Sequence, residues 1–454
     1  MTTLPPLSPD VERALAAIRS AGGRPMLVGG WVRDALLGSP SKDIDVEVYG
    51  LTFAALAEAL SRAGRVDEVG KSYGVLKVRA GSSDLDVNVP RRDRKVSDGH
   101  RGFDVTPEMA LSFAEASARR DFTINALLYD PQTGDVIDCH GGLDDLQAGV
   151  LRHTSEAFAE DPLRVLRGVQ FAARFGFRLA PETERLCWQL RGTYHELSAE
   201  RVWGEFEKIG TRGTRITAAL AVLSGTWWER HFPQLSALHS IPQDTQWHPE
   251  GDVHVHSGLA ADQAARLADE AGLAGTDRLV VVFAALLHDL GKVTRTQVTG
   301  GRITSHGHAE AGVEPAAAFL RSIGCPEGIT ARILPLIREH MNVFGRPSRP
   351  AVRRLARRLV PATLAELALV SAADCKGRGN PDAPSPAGEW LELGRDLQVT
   401  ERPAKGLLTG DHLIAAGMVP GPAFRPLLAE ALAAQDAGEF SDEAGAVRWL
   451  AAHR

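Results

Sequence analysis

Short apolar runs and strict alternation mark the first part of the chain, and a helical spacing of apolar positions replaces them further on. Pro25-Met26-Leu27-Val28 reads as a short strand, and Val32 to Leu37 as a helix stopping near Gly38. Ile44, Val46 and Val48 then alternate with Asp43, Asp45 and Glu47, the period of a half-buried strand. Similar patterns predict strands near 75–79 and 84–89. From Asp161 onward the pattern is almost entirely helical, with an apolar run from Leu279 to Leu287. Pro242 to Gly251 and Gly377 to Gly388, rich in Pro, Gly and Asp, read as linkers. The expectation is an α+β, multidomain chain: a mixed α/β region over 1–150, helical segments over 151–240 and 245–380, and a helical tail over 381–454.

The chemistry of the first segment is concentrated at Gly29-Gly30-Trp31-Val32-Arg33-Asp34 and Asp43-Ile44-Asp45. Two glycines let the backbone turn sharply and approach a ligand, and the helix that follows would turn its free N–H groups towards a phosphate chain. Residues two apart on a strand share a face, so Asp43 and Asp45 can point together at a metal pair. Two magnesium ions ~3.5–4 Å apart suit in-line displacement at a nucleoside triphosphate.

These residues resemble the opening motif of the class II tRNA nucleotidyltransferases, the CCA-adding enzymes and bacterial poly(A) polymerases of the polymerase-β-like superfamily. Further matches follow in family order. Arg119-Arg120-Asp121-Phe122-Thr123-Ile124-Asn125-Ala126-Leu127 is similar to the motif that contacts ribose and phosphates. Glu160-Asp161-Pro162-Leu163-Arg164, continuing to Arg167, resembles the nucleotide-selecting helix, and Ser198-Ala199-Glu200-Arg201 to Lys208 the motif that buttresses it. The resemblance implies a polymerase-β-like head followed by an all-α neck and body. It implies that Asp43 and Asp45 hold magnesium, joined by a third carboxylate on a neighbouring strand, Asp86 or the alternative Asp84. Gly29, Gly30 and Arg33 would seat the triphosphate, with Arg119, Arg120, Asp121 and Asn125 around it.

Base selection follows from the donor–acceptor pattern. Cytosine and adenine both place an amino donor beside a ring-nitrogen acceptor. Asp161, read as an N-cap before Pro162, would accept from the amino group, and Arg164 on the same helical face would donate to the ring nitrogen. Uracil and guanine reverse that order, so the pair selects CTP and ATP without a nucleic-acid template. The polar stretch Arg91 to Ala118, where the family has a loop needed for the terminal adenosine, is not evidently shortened.

The second half carries His256, His288-Asp289, His308, His340 and Asp374. The order resembles an HD-superfamily phosphohydrolase domain, with His308 and His340 allowing a second metal. Imidazole and carboxylate suit Mn, Fe, Co, Ni, Zn or Mg, so the donor set leaves a divalent transition metal or Mg2+ open. The resemblance implies a metal-dependent phosphatase or phosphodiesterase acting on phosphate esters such as 2′,3′-cyclic ends.

Composition narrows the partners. The chain of 454 residues has a formal net charge of −6, which excludes nonspecific coating of nucleic acid and requires a local basic patch for RNA. Arg346, Arg349, Arg353, Arg354, Arg357 and Arg358 form one candidate; Arg91, Arg92, Arg94, Lys95 and Arg101 form another. No apolar run reaches the length of a membrane span, and Cys139, Cys187, Cys325 and Cys375 show neither metal-type nor disulfide spacing, so a cytoplasmic setting is expected. The alanine-rich, near-neutral tail weighs against a poly(A) polymerase. The leading expectation is CCA addition to tRNA 3′ ends from CTP and ATP. The alternatives are an enzyme adding only A or only CC, and an HD phosphohydrolase whose head merely binds tRNA or nucleotide. Oligomeric state is left open.

Overall fold

The computed structural model describes residues 4–39, 43–62, 65–67, 75–80, 83–95, 103–107, 111–380 and 382–453. The chain divides into two units, Met1–Arg201 with Ala221–Trp228, and Val202–Leu220 with Glu229–Arg454.

The first unit is built on strands β1 (Arg24–Val28), β2 (Ile44–Tyr49), β3 (Arg65–Asp67), β4 (Val75–Ala80), β5 (Ser83–Asn88), β6 (Arg91–Lys95), β7 (Phe103–Pro107), β8 (Leu128–Asp130) and β9 (Asp135–Ile137). Seven form one mixed sheet in the order β3-β4-β5-β2-β1-β8-β9, and β6 and β7 form a separate ribbon. Antiparallel pairing of β1 with β2 sets Val28 opposite Asp45, while parallel pairing of β2 with β5 sets Asp45 opposite Asp86. Met26, Leu27, Val28, Val46, Val48, Leu85 and Val87 are buried, so the apolar alternation is the sheet's grip on its core.

β2 departs from the half-buried expectation. Glu47, on the face carrying Asp45, is fully buried, and its charge is met by Arg119 at 2.8 Å and the Tyr49 hydroxyl at 2.8 Å. β8 and β9, three residues each, are too short to leave a pattern in the sequence.

The helix Leu163–Phe175 packs its apolar face beside Phe122, with Phe122–Phe158 and Phe122–Phe171 in edge-to-face contact at 5.5 and 5.7 Å. A Cβ at Gly168 would sit 3.1 Å from the Phe122 ring, so glycine permits this close approach.

The second unit is a helical bundle that includes Val253–Glu270, Gly275–Leu287, Glu327–Glu339, Arg349–Leu359 and Leu364–Gly377. Leu279 to Leu287 are all buried, which explains why that run shows no periodicity. Asp252 caps the first of these helices by accepting from the Val255 amide at 3.0 Å. A short hairpin, Gln297–Thr299 with Arg302–Thr304, interrupts the otherwise helical pattern. The tail has a small core of its own around Leu413, Ala431, Phe440 and Leu450. Among the described residues no helix is long and apolar enough to cross a membrane.

Candidate functional site

The glycine turn ends β1 and starts a short helix, Gly30–Leu36. Gly29 has φ +70°, and a Cβ there would lie 2.8 Å from Arg120 Nη1 and 3.4 Å from Asp45 Oδ2. The turn, the carboxylate and the guanidinium are therefore packed against one another. Burial raises the Asp45 carboxyl pKa; the neighbouring Asp86 and Asp43 charges push it the same way, while Arg120 opposes them. On β4, Asp84 faces Arg79 and Asp86 faces Lys77, but the β2–β5 ladder pairs only Asp86 with Asp45, so among the two alternatives Asp86 is the one beside Asp45. Asp86 lies 3.3 Å from the exposed Lys77 ammonium. Within the head, no three ligand atoms of described residues come within 4.8 Å of one another.

Other motif residues form a buried relay. Asp34 accepts from Arg33 and Arg174, each at 2.8 Å, and Arg33 also donates to Asn125 Oδ1. Asn125 Nδ2 donates to Asp121 at 2.9 Å, and Arg167 donates to the other Asp121 oxygen at 2.6 Å. Burial would raise Asp121, but Arg167 and Asn125 hold its pKa down at about 2. Arg33, Asp121, Asn125 and Arg167 are thereby fixed to one another, tying the glycine turn to the helix Leu163–Phe175.

At the head of that helix the observed geometry shifts the cap by one residue. Pro162 is the N-cap, because the first turn closes with tighter bonds from Arg164 N to Asp161 O and from Val165 N to Pro162 O. Asp161 still accepts from the Leu163 amide at 3.1 Å. Arg201 grips both Asp161 oxygens at 3.1 and 2.8 Å, and Arg164 donates to the carbonyls of Ala157 and Arg119, each at 2.6 Å. Asp161 and Arg164 share one site but do not pair directly.

In the second unit all six predicted ligands converge. His256 Nε2 lies 3.2 Å from Asp374 Oδ1 and 3.7 Å from Asp289 Oδ2. His288 Nε2 is 3.3 Å from Asp289 Oδ2, and His308 Nε2 is 3.3 Å from Asp289 Oδ1 and 3.1 Å from His340 Nε2. Every ring is held through Nδ1: His288 by the Ala285 carbonyl, His308 by Ser305, His340 by Ile337, and His256 by the Glu250 carboxylate. That leaves each Nε2 facing inward. His256 Nε2 and His288 Nε2 are buried without a hydrogen-bond partner, while Lys292 Nζ lies 2.7 Å from Asp289 Oδ2. Orphaned imidazole nitrogens gathered this tightly against two buried carboxylates fit a divalent metal. Burial and the adjacent His288 hold the His340 pKa down at about 3, the neutral state a ligand requires.

A cleft of about 1100 Å³ opens over this cluster. Lys292, Arg338, Arg358 and Arg378 line it, with Trp247, Met341 and Phe344 also on its walls. Lys292 lies 2.7 Å from Asp289, and Arg378 donates to both Asp374 oxygens at 2.9 Å. Pro242, Gln243, Asp244, Trp247 and His248 form one wall, so the stretch expected to be a linker belongs to the site. Glu250 in the same stretch was not anticipated: a carboxylate amid Pro, Gly and Asp carries no periodic signal. Lys292, three residues after Asp289, was legible as part of His288-Asp289-Leu290-Gly291-Lys292.

Much of the basic stretch on Arg349–Leu359 is engaged internally. Arg357 pairs with Asp436, Arg358 with Glu339, and Arg353 donates to the Gln435 carbonyl. Arg346, Arg349 and Arg354 are exposed. Of the other stretch only Arg91 has a described side chain; Arg92, Arg94, Lys95 and Arg101 fall outside, as do residues 96–102 and 108–110 of the segment awaiting the adenosine loop.

Residues 26–152 match the family model of the poly A polymerase head domain, and residues 253–376 match that of the HD domain. The class is thus a nucleotidyltransferase head joined to an HD domain. A multifunctional CCA protein from Xanthomonas campestris is 38% identical over 380 residues, covering 81% of this chain and 88% of that protein. One from Xylella fastidiosa is 37% identical over 379 residues, covering 80% and 87%. The chain belongs to their family, the class II CCA-adding nucleotidyltransferases that carry an HD domain. Its fold is also that of the Bacillus stearothermophilus CCA-adding enzyme in complex with CTP, with TM-score 0.66, 21% identity and 98% of each chain covered. The Thermotoga maritima CCA-adding enzyme complexed with tRNA-CCA gives TM-score 0.57 at 19% identity, covering 98% of this chain and 96% of that one.

Proposed function

We propose that this protein adds CCA to the 3′ ends of tRNA from CTP and ATP without a nucleic-acid template, and that its HD domain hydrolyses phosphate esters. The single observation carrying the first reading is the register of β2 on β5, which sets Asp86 beside Asp45 next to the Gly29 turn and Arg120. Asp43, Asp45 and Asp86 hold divalent ions whose charge offsets that building up on the triphosphate. Arg120 faces the triphosphate across the glycine turn. The terminal 3′-hydroxyl of the tRNA attacks the α-phosphate and pyrophosphate leaves. Arg201 holds both Asp161 oxygens in place, and Arg164 is braced by two carbonyls, so a cytosine or adenine edge meets a fixed acceptor and a fixed donor. The buried relay of Arg33, Asn125, Asp121 and Arg167 sets the helix against the turn.

In the HD domain His256, His288, Asp289 and Asp374 hold one metal, and His308 and His340 extend the set to a second. A bound metal supplies Lewis-acid polarisation of the ester's phosphate. Lys292, Arg338 and Arg378 furnish the cationic lining for that phosphate. Acting on tRNA, the enzyme works in the cytoplasm.

The test is incubation with Mg2+ and tRNA transcripts ending at the discriminator base, after C and after CC, with labelled CTP and ATP singly and together. Extension of the shortest transcript by CCA is the expected result. Extension only of the CC-ending transcript would reduce the activity to A addition. No incorporation on any transcript would overturn the reading and leave a binding head on a phosphohydrolase.

A further inference from the structure

Apart from the HD cluster, the second unit holds another convergence of imidazoles on a carboxylate. Glu229 is buried, and its two oxygens meet His239 Nε2 at 2.8 Å and His254 Nε2 at 2.7 Å. The two rings stack at 3.7 Å with 21° between their planes, and each turns its Nε2 to one oxygen of the same carboxylate. One ligand atom from each of the three residues lies within 4.8 Å of the others. His239 is half-exposed, which leaves an approach from solvent.

We propose that Glu229, His239 and His254 form a separate transition-metal site. Two imidazole nitrogens and a carboxylate oxygen are donors for Zn2+, Co2+ or Ni2+ rather than for Mg2+, which prefers oxygen alone. In the bound state each imidazole carries its single proton on Nδ1 and offers Nε2 to the metal.

The site has a structural purpose readable from the chain path. His239 and His254 flank the segment 240–252, whose ends are already joined by Ser240 N to Asp252 Oδ2 at 2.8 Å and Val253 N to Ile241 O at 3.2 Å. That segment supplies Pro242, Gln243, Asp244, Trp247 and His248 to the wall of the HD cleft. A metal across its base staples the wall to the helix Val253–Glu270.

The experiment is equilibrium dialysis of untagged full-length protein against Co2+, comparing the wild type with His239→Ala and His239→Gln, and reading bound metal together with the visible d–d absorption. Both variants should bind one Co2+ fewer than the wild type and lose the corresponding absorption band. Circular dichroism in EDTA should show both variants folded, so that the metal count is read apart from the loss of the His239–Glu229 contact. Equal Co2+ stoichiometry in wild type and both variants would overturn the proposal and leave Glu229 as a hydrogen-bond partner of two imidazoles.

Discussion

Arg201 closes on both carboxylate oxygens of Asp161, so the acceptor read as base-selecting is held by a residue forty positions further along the chain. Charge-assisted pairs of this kind contribute about 1.5–3 kcal/mol. Arg201→Ala should therefore lower CTP and ATP incorporation by about 10- to 100-fold and relax rejection of UTP and GTP. Single-nucleotide incorporation assays with all four triphosphates check this; unchanged selectivity would detach Arg201 from base choice.

The Asp45–Asp86 neighbourhood separates two carboxylates that alternate on one strand. Asp45→Asn and Asp86→Ala should each reduce nucleotidyl transfer by roughly a thousandfold or more, and Asp84→Ala should leave it within a few-fold. Circular dichroism should show all three folded. A severe loss in Asp84→Ala alone would reassign the third carboxylate.

Gly29→Ala tests the tight turn. The added methyl would fall on Arg120 and force a left-handed backbone on alanine, a strain of about 1 kcal/mol or more. Transfer should drop by at least tenfold while phosphohydrolase activity stays unchanged, since the HD residues lie in the other unit. Parallel assays of the two activities on one preparation give the answer.

Glu250 fixes the ring of His256 from outside the ligand set. Glu250→Gln should weaken metal retention in the HD cleft by about 10- to 100-fold, with CCA addition intact. Metal content after gel filtration, read beside hydrolysis of a 2′,3′-cyclic nucleotide, measures it. Undiminished retention would leave Glu250 with no hold on the site.

Acid stability should expose the Asp121–Arg167 pair. Because the folded pKa of Asp121 is depressed to about 2, its contribution is complete above the unfolded value near 3.9 and disappears as the pH falls towards 2. That contribution is on the order of 2 kcal/mol. Arg167→Gln should flatten this part of the stability–pH curve, measured by urea unfolding between pH 5 and pH 2.5 as order-of-magnitude settings.

The residues gathered at the two candidate centres were legible because the chemistry expected of them requires particular residue types at fixed offsets. Asp43 and Asp45 share a strand face, and His288-Asp289 ends an apolar helix that is buried on every side. What holds those groups was much less legible. Glu250 sits in a stretch without periodicity, and Glu47 looks like another solvated position of an alternating strand until Arg119 and Tyr49 are seen to meet it. The engagement of Arg353 and Arg357 with the tail, and of Arg358 with Glu339, was equally hidden, since a basic helix face reads the same whether its partner is RNA or Asp436. Short strands such as β8 and β9 owe their existence to pairing with a neighbour rather than to local preference.

The parallel pairing of β2 and β5 has an implication for how this enzyme can vary. In a hairpin, the spacing of two facing side chains is tied to the length of the turn. Here the alignment of Asp45 with Asp86 is fixed by the ladder, and the intervening polypeptide returns by a crossover. The separation of the two carboxylates along the chain can therefore change without changing their distance in space, so long as β2 and β5 keep their pairing.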